Sequence, residues 1–321
     1  MPKIPSGESR TLNLWLLICL LSFALLMTGC PSSGGSQDEN KPAAQTENPV
    51  PAGAPEGPVR IAFVPSVEAG KIETQLDEFN NELSELIGHP VESVVVLSYS
   101  ACVEQMGAER LEAAFLPALA YVLANDRYDV RVVLKAVRRG SATYRGEIIT
   151  RADSGIETLE DLRGKTMCFV DASSASGYLY PKTLLISSGI DPEVDLKDYT
   201  FVGSHPAVIE AVLNGRLDAG ACFDDARTTL LETEPRVMEE TRVVAYTPDI
   251  PADTVSFRAG LEGPFYDRLV QALIEIGKKG KDSPLYGIYE IEELVPAQDS
   301  DYDPIRQMVN ALNYDIEGEI D

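Results

Sequence analysis

From residue 59 onward, short apolar runs alternate with stretches of helical spacing, and this alternation limits the fold more than any other feature. The clearest part is "KTMCFVD", "GYLYPKTLLISSG", "YTFVGS", "PAVIEAVLNG" and "LDAGACFDD", read as strand, helix, strand, helix, strand. Upstream, "VRIAFVPS" reads as a buried strand. Ile72, Leu76, Phe79, Leu83, Leu86 and Ile87 then recur at helical spacing until Gly88. "VESVVVLS", "VRVVLKAVR" and "TYRGEIITR" read as strands, and "EAAFLPALAYVLAND" as a strand passing into a helix. "ARTTLLETEPRVMEE", "PFYDRLVQALIEIGKKG", "IYEIEELV" and "DPIRQMVNAL" read as helices. Such alternation predicts an α/β fold with mainly parallel sheets flanked by helices.

The N-terminus stands apart from that body. Lys3 and Arg10 precede the apolar run "LNLWLLICLLSFALLMTGC". A basic segment followed by an apolar one has the layout of a secretory signal, with a single spanning helix as the competing reading on length. The end decides: "LMTGC" resembles a bacterial lipobox. That resemblance implies removal of residues 1–29 and lipidation of Cys30. Residues 30–58 are rich in Pro, Gly, Ser, Ala and acidic residues, so they read as a disordered tether. Signal, lipid and tether describe a protein held at a membrane face outside the cytoplasm.

The formal net charge of −24 over 321 residues argues strongly against a nucleic-acid partner. It says little about the ligand, since a local site can oppose the overall sign. Beyond Cys19 and Cys30, the chain holds Cys102, Cys168 and Cys222, which read as buried reduced thiols. With His89 and His205 as the only histidines, no metal cluster is expected. No Walker loop or dinucleotide motif is present either, so no cofactor is expected.

Open α/β sheets bind ligands beyond the carboxyl ends of their strands, where loops enter helices. That rule collects Ser66, Tyr99, Ser173 to Gly177, Ser204, His205, Asp224 and Asp225. "SSASG", residues 173–177, opens a helix, whose first turn offers free N–H groups and a partial positive charge. Serine hydroxyls add donors, and Gly177 lets the backbone approach a ligand. The segment suits a phosphate-like group with no basic side chain. An ordinary helix cap is the other open reading. "GSHP" offers His205 as an anion donor or as a capping residue. "FDDA" suits acid–base chemistry, a cation, or an acidic helix start, and no nucleophile–base pair accompanies it.

Taken in order, the lipobox, "IAFVPS", "SYSACVEQM", "TYRGEIITRADSGIETLEDLRGKTMCFVD", "SSASGYLYPKTLL", "GSHPAVIEAVLNGRLDAGACFDDAR", "TPDIPAD" and "YDPIRQMV" resemble a known family. It is that of the phosphate, phosphite and phosphonate-binding proteins of ABC importers. The resemblance implies a two-lobed type II periplasmic-binding fold with two crossover hinge strands. Lobe 1 would take residues 59–147 plus 250–321, and lobe 2 residues 148–249. The family's serine–threonine–serine run falls on Ser174, Ala175 and Ser176, and its histidine on His205. Its cleft acids fall on Asp225 and Asp253, and its cleft tyrosines on Tyr99 and Tyr144. Ser66 and Gly177, from the loop rule, complete the candidate binding residues. Ala175 lacks the hydroxyl of the usual threonine, and Pro206 replaces the usual aspartate.

The implied function is that of a lipid-anchored, monomeric receptor for a phosphorus oxyanion, which doing no chemistry delivers it to a membrane permease driven by an ATPase. An extracytoplasmic sensor module, or a receptor for another small anion, is the alternative. Two carboxylates beside an oxyanion repel it unless something positive or protonated intervenes. The ligand itself is therefore expected to carry an ammonium or an acidic proton.

Overall fold

The computed structural model describes residues 50–311. The expected signal segment, Cys30 and the expected tether as far as residue 49 lie outside the described residues, as do residues 312–321. The rest of the expected tether is part of the body. Ala54 packs against the core, and His89 Nε2 donates to the Gly57 carbonyl at 2.8 Å.

Among the described residues the strands are β1 (Val59–Phe63), β2 (Val91–Val95), β3 (Ala113–Leu116), β4 (Arg131–Val137), β5 (Thr143–Tyr144), β6 (Gly146–Arg151), β7 (Thr166–Phe169), β8 (Asp198–Phe201), β9 (Ala219–Phe223), β10 (Thr241–Tyr246), β11 (Ile250–Pro251), β12 (Thr254–Phe257) and β13 (Glu293–Pro296). The α-helices are α1 (Ala69–Ile87), α2 (Tyr99–Gly107), α3 (Ala118–Tyr128), α4 (Tyr180–Ser187), α5 (Pro192–Asp195), α6 (His205–Leu213), α7 (Val237–Glu240), α8 (Pro264–Gly277), α9 (Pro284–Tyr289) and α10 (Asp303–Ala311).

Two sheets organise these elements. A six-stranded sheet has the order β13-β4-β12-β3-β1-β2, and a five-stranded sheet the order β10-β6-β9-β7-β8. The expected parallel order holds in β2-β1-β3 and in β8-β7-β9. The remaining strands of both sheets pair antiparallel. The chain leaves the first sheet after β4, enters the second through β5 and β6, and returns through β10 and β11. These two crossovers run side by side, with Ile250 paired to Tyr144 and Pro251 to Thr143. The Gly146 N–H, which donates to Thr247 Oγ1 at 2.8 Å, ties them again.

Two apolar clusters form the core: one lies on the α1 and α8 face of the first sheet, and the other runs from that sheet's opposite face, through α2 and α3, into the second sheet. In the first, α1 buries Ile72, Leu76, Phe79, Leu83 and Ile87 along one stripe. Phe63 and Phe115 stack beneath it with ring centroids 4.6 Å apart. Fully burying a side chain of this size stabilises by about 1.5–3 kcal/mol. In the second, Phe169, Tyr178 and Phe201 meet edge to face or tilted. Cys102, Cys168 and Cys222 are free and buried, and burial pushes the first two thiols up to about 12.

Two expected helices differ. "ARTTLLETEPRVMEE" forms a short 3₁₀ turn over Ala226–Leu230 and then only α7. Pro235 has no N–H and clashes with the preceding turn, so a continuous helix cannot run through it. "IYEIEELV" ends its helix at Tyr289, turns through Glu290 at φ 56, and becomes β13. The ladder that β13 makes with β4 outweighs the helical spacing of those residues.

Candidate functional site

A cavity of about 280 Å³ lies between the loops of the two sheets. Its walls come from the carboxyl ends of β1, β2 and β3 on one side and of β7, β8 and β9 on the other. Five helices begin there: Lys71 lies in the first turn of α1, Tyr99 opens α2, Pro117 caps α3, Ser174 caps the helix leading into α4, and His205 opens α6. Each start brings unsatisfied N–H groups and a partial positive charge toward the same volume.

The helix after β7 starts unusually. Residues Ala175–Leu179 form a π turn, in which the Leu179 N–H bonds the Ser174 carbonyl at 3.0 Å. Pro181 cannot donate to the Gly177 carbonyl, which accepts the Val170 N–H at 3.2 Å instead. The wide turn follows from that missing donor. Ser174 Oγ accepts the Gly177 N–H at 3.1 Å, so this serine is a cap. Its own O–H stays available, and Ser174 also lines the cavity. The cap and oxyanion readings of "SSASG" are therefore compatible. Ser173 turns away and donates to Asp171 at 2.6 Å.

Of the ten candidate residues, Ser66, Tyr99, Tyr144, Ser174, Ser176, His205, Asp225 and Asp253 line the cavity, whereas Ala175 and Gly177 do not. Both of those are buried. A Cβ on Gly177 would lie 2.4 Å from Val170 Cγ2, so the close approach it permits is to Val170 and not to a ligand. Gly146 has the complementary role at the crossover. A Cβ there would sit 2.8 Å from the Ser176 carbonyl oxygen, so glycine lets β6 touch the start of the serine helix.

Several hydrogen-bond donors stand among the apolar and acidic residues of the wall. The Tyr99 hydroxyl is buried and has no hydrogen-bond partner among the described residues. Burial, then the neighbouring Tyr289 and Asp253, raise its pKa well above the ordinary phenol value. Burial and Asp253 raise Tyr144 as well, against a hydrogen bond from Ser176. Both phenols keep their protons. His205 is buried, and its pKa is pushed down to about 3 by that burial. Its Nδ1 accepts the Phe223 N–H at 3.1 Å, which leaves the proton of the neutral ring on Nε2. His205 is a neutral N–H donor.

The cavity also holds Lys71, Arg138 and Arg139, which corrects the expectation of a site without basic side chains. Arg138 pairs with Asp253 at 2.8 Å, and its Nε donates to the Tyr289 carbonyl at 2.7 Å. Arg139 pairs with Asp225 and stands 3.6 Å from Glu290. Asp224 is held by Arg145 at 3.3 Å. The two cleft acids thus have cationic partners within the protein. Arg138 and Arg139 went unread because "RRG" looks like any tight turn. Arg138 and Ser141 exchange backbone hydrogen bonds across it, and Arg139 and Gly140 both have positive φ, 52 and 73. A two-residue loop of that kind is a type I′ hairpin, where Asn-Gly is the usual signal. Tyr289, whose hydroxyl donates to the Val64 carbonyl, was hidden in a stretch read as helix.

Behind Asp225, Glu147 is fully buried, with Arg227 Nε at 3.4 Å and Cys222 Sγ at 3.6 Å. Burial pushes its pKa up to about 7, against the opposing pull of Arg227.

Two mixed sheets joined by paired crossovers, with a cavity between their loops, have the type II periplasmic-binding fold. The Prochlorococcus marinus PhnD1 structure in complex with methylphosphonate has the same fold, with a TM-score of 0.72 at 20% identity over 79% of this chain and 98% of that one. The chain belongs to the family of periplasmic substrate-binding proteins of phosphonate ABC transporters, whose family model matches residues 61–302. That membership places its function outside the cytoplasm. The chain is 33% identical over 211 residues to the phosphate-import protein PhnD of Mycolicibacterium smegmatis, covering 63% of this chain and 62% of that protein. The match thus spans less than two thirds of the Mycolicibacterium protein's length. The phosphonates-binding periplasmic protein of Escherichia coli is 23% identical over 276 residues, covering 84% of this chain and 81% of that protein.

Proposed function

We propose that this protein is the receptor of an ABC importer and that its cavity captures a phosphorus oxyanion: a phosphonate, phosphite or phosphate. The observation that carries this reading is the donor set. Five helix starts, the unpartnered Tyr99 hydroxyl, the Ser174 and Ser176 hydroxyls and the neutral His205 all border one volume. An oxyanion with several oxygens accepts from many such donors at once. The names of the Mycolicibacterium and Escherichia relatives, and the methylphosphonate in the Prochlorococcus complex, agree with that class. Capture proceeds by closure of lobe 2, residues 148–249, onto lobe 1, residues 59–147 plus 250–321, about the paired crossovers. Closure presents the ligand to a membrane permease and its ATPase. The protein works as a monomer tethered through a lipid on Cys30. Capture rather than turnover fits the acids, since Asp224 and Asp225 are both held by arginines.

Mass spectrometry of the protein released from its host membrane tests anchor and ligand together. The expected result is an N-terminus at lipid-modified Cys30 and, under native conditions, a retained phosphonate, phosphite or phosphate. An unlipidated N-terminus upstream of Cys30 overturns the anchor. A protein that retains sulfate in the presence of excess phosphorus oxyanions overturns the ligand class.

A further inference from the structure

The acids of the cleft already have their cations. Asp253 meets Arg138 at 2.8 Å, and the Tyr289 carbonyl fixes the same guanidinium from the other side at 2.7 Å. Asp225 meets Arg139, which also faces Glu290 at 3.6 Å. Arg139 and Glu290 extend from the first sheet, and Asp225 follows β9 of the second. The cluster therefore spans the cavity from lobe to lobe. Its side chains are half-exposed, so it sits at the rim. Its backbone is unusual too. Among the described residues, five non-glycine residues have positive φ, and Arg139 (52), Asp225 (64) and Glu290 (56) are three of them. Side chains disfavour that region, so three such residues in one ion-pair cluster mark a place where geometry is held at a cost.

A ligand's ammonium entering this rim would have to displace Arg139 from Asp225 or lie beside a guanidinium of like charge. A ligand with a hydrogen, methyl or hydroxyl substituent meets neither obstacle. We infer that Arg138 and Arg139 make the cleft selective for phosphorus oxyanions without an ammonium group, with Arg139 as the specificity-determining residue. Of the two expectations read from the sequence, that the ligand carries an ammonium or an acidic proton, this replaces the first. It rests on the oxyanion reading above and narrows it.

Titration calorimetry on the full chain at neutral pH and low salt tests it, with methylphosphonate, phosphate and 2-aminoethylphosphonate as ligands. The wild type is expected to bind methylphosphonate at least about tenfold tighter than 2-aminoethylphosphonate. Arg139→Ala frees Asp225 and Glu290, and should shift the affinity ratio of 2-aminoethylphosphonate to methylphosphonate about tenfold toward 2-aminoethylphosphonate. Adding Asp225→Asn should remove most of that shift. Both positions are exposed at the rim, and a thermal melt of each variant confirms folding. Tighter wild-type binding of 2-aminoethylphosphonate, or an Arg139→Ala ratio equal to the wild type's, overturns the inference and leaves the oxyanion reading intact. If neither methylphosphonate nor phosphate binds the wild type, both fall together.

Discussion

His205 shows how one side chain's surroundings decide its chemistry. Burial pushes its pKa from 6.5 down to about 3, and Phe223 N–H holds its Nδ1. An unfolded chain would take up a proton near pH 6.5. Neutral His205 therefore contributes stability above that pH, and the contribution is lost as pH falls through 6.5 toward 3. The C2–H resonance of His205 in the ligand-free protein is expected to stay fixed from about pH 8 to about pH 5. A titration midpoint near the ordinary value would contradict a neutral donor. His205 and the serines were legible because each follows an apolar run and opens a helix, and that adjacency is local. The roles of Asp225 and Asp253 were not legible. Their partners Arg139 and Arg138 lie 86 and 115 residues away in the chain, and only the crossovers bring them together. Sequence spacing carries no trace of such a contact.

At the scale of elements, the helix that begins at Ser174 combines a cap, a π turn and a proline. The cap bond to Gly177 N–H persists only with an oxygen at residue 174. The Ser174→Ala, Ser176→Ala double variant loses that cap, two cavity-facing hydroxyls and the hydrogen bond from Ser176 to Tyr144. We expect it to weaken methylphosphonate binding by about 1–3 kcal/mol, the usual worth of hydrogen bonds to charged groups. We also expect it to destabilise the fold by about 1 kcal/mol through the lost cap. Unchanged affinity with lowered stability, by calorimetry and thermal melting, would reduce the serines to caps. Elements themselves were legible where period and length agreed, as in α1 with its apolar stripe. They failed at residues 226–240 and 290–296, where a proline and a sheet edge act against the local pattern.

Over the whole molecule, the crossovers run side by side and join the two sheets. They hold the loops of both sheets against one cavity of about 280 Å³. Gly146 lets one crossover touch the Ser176 carbonyl, so the serine helix and Tyr144 are held together. The alternation of strands and helices made the α/β class legible, and the family motifs made the two lobes legible. The charge balance of the cavity was not, because a net charge of −24 conceals three basic side chains around one site. A crystal structure of the protein with methylphosphonate is the most direct test. The phosphonate oxygens should lie within hydrogen-bond distance of the Tyr99 hydroxyl, Ser176 Oγ and His205 Nε2, with Arg139 still paired to Asp225. Methylphosphonate bound outside this cavity, or absent from it at saturating concentration, would contradict the assignment of the cleft.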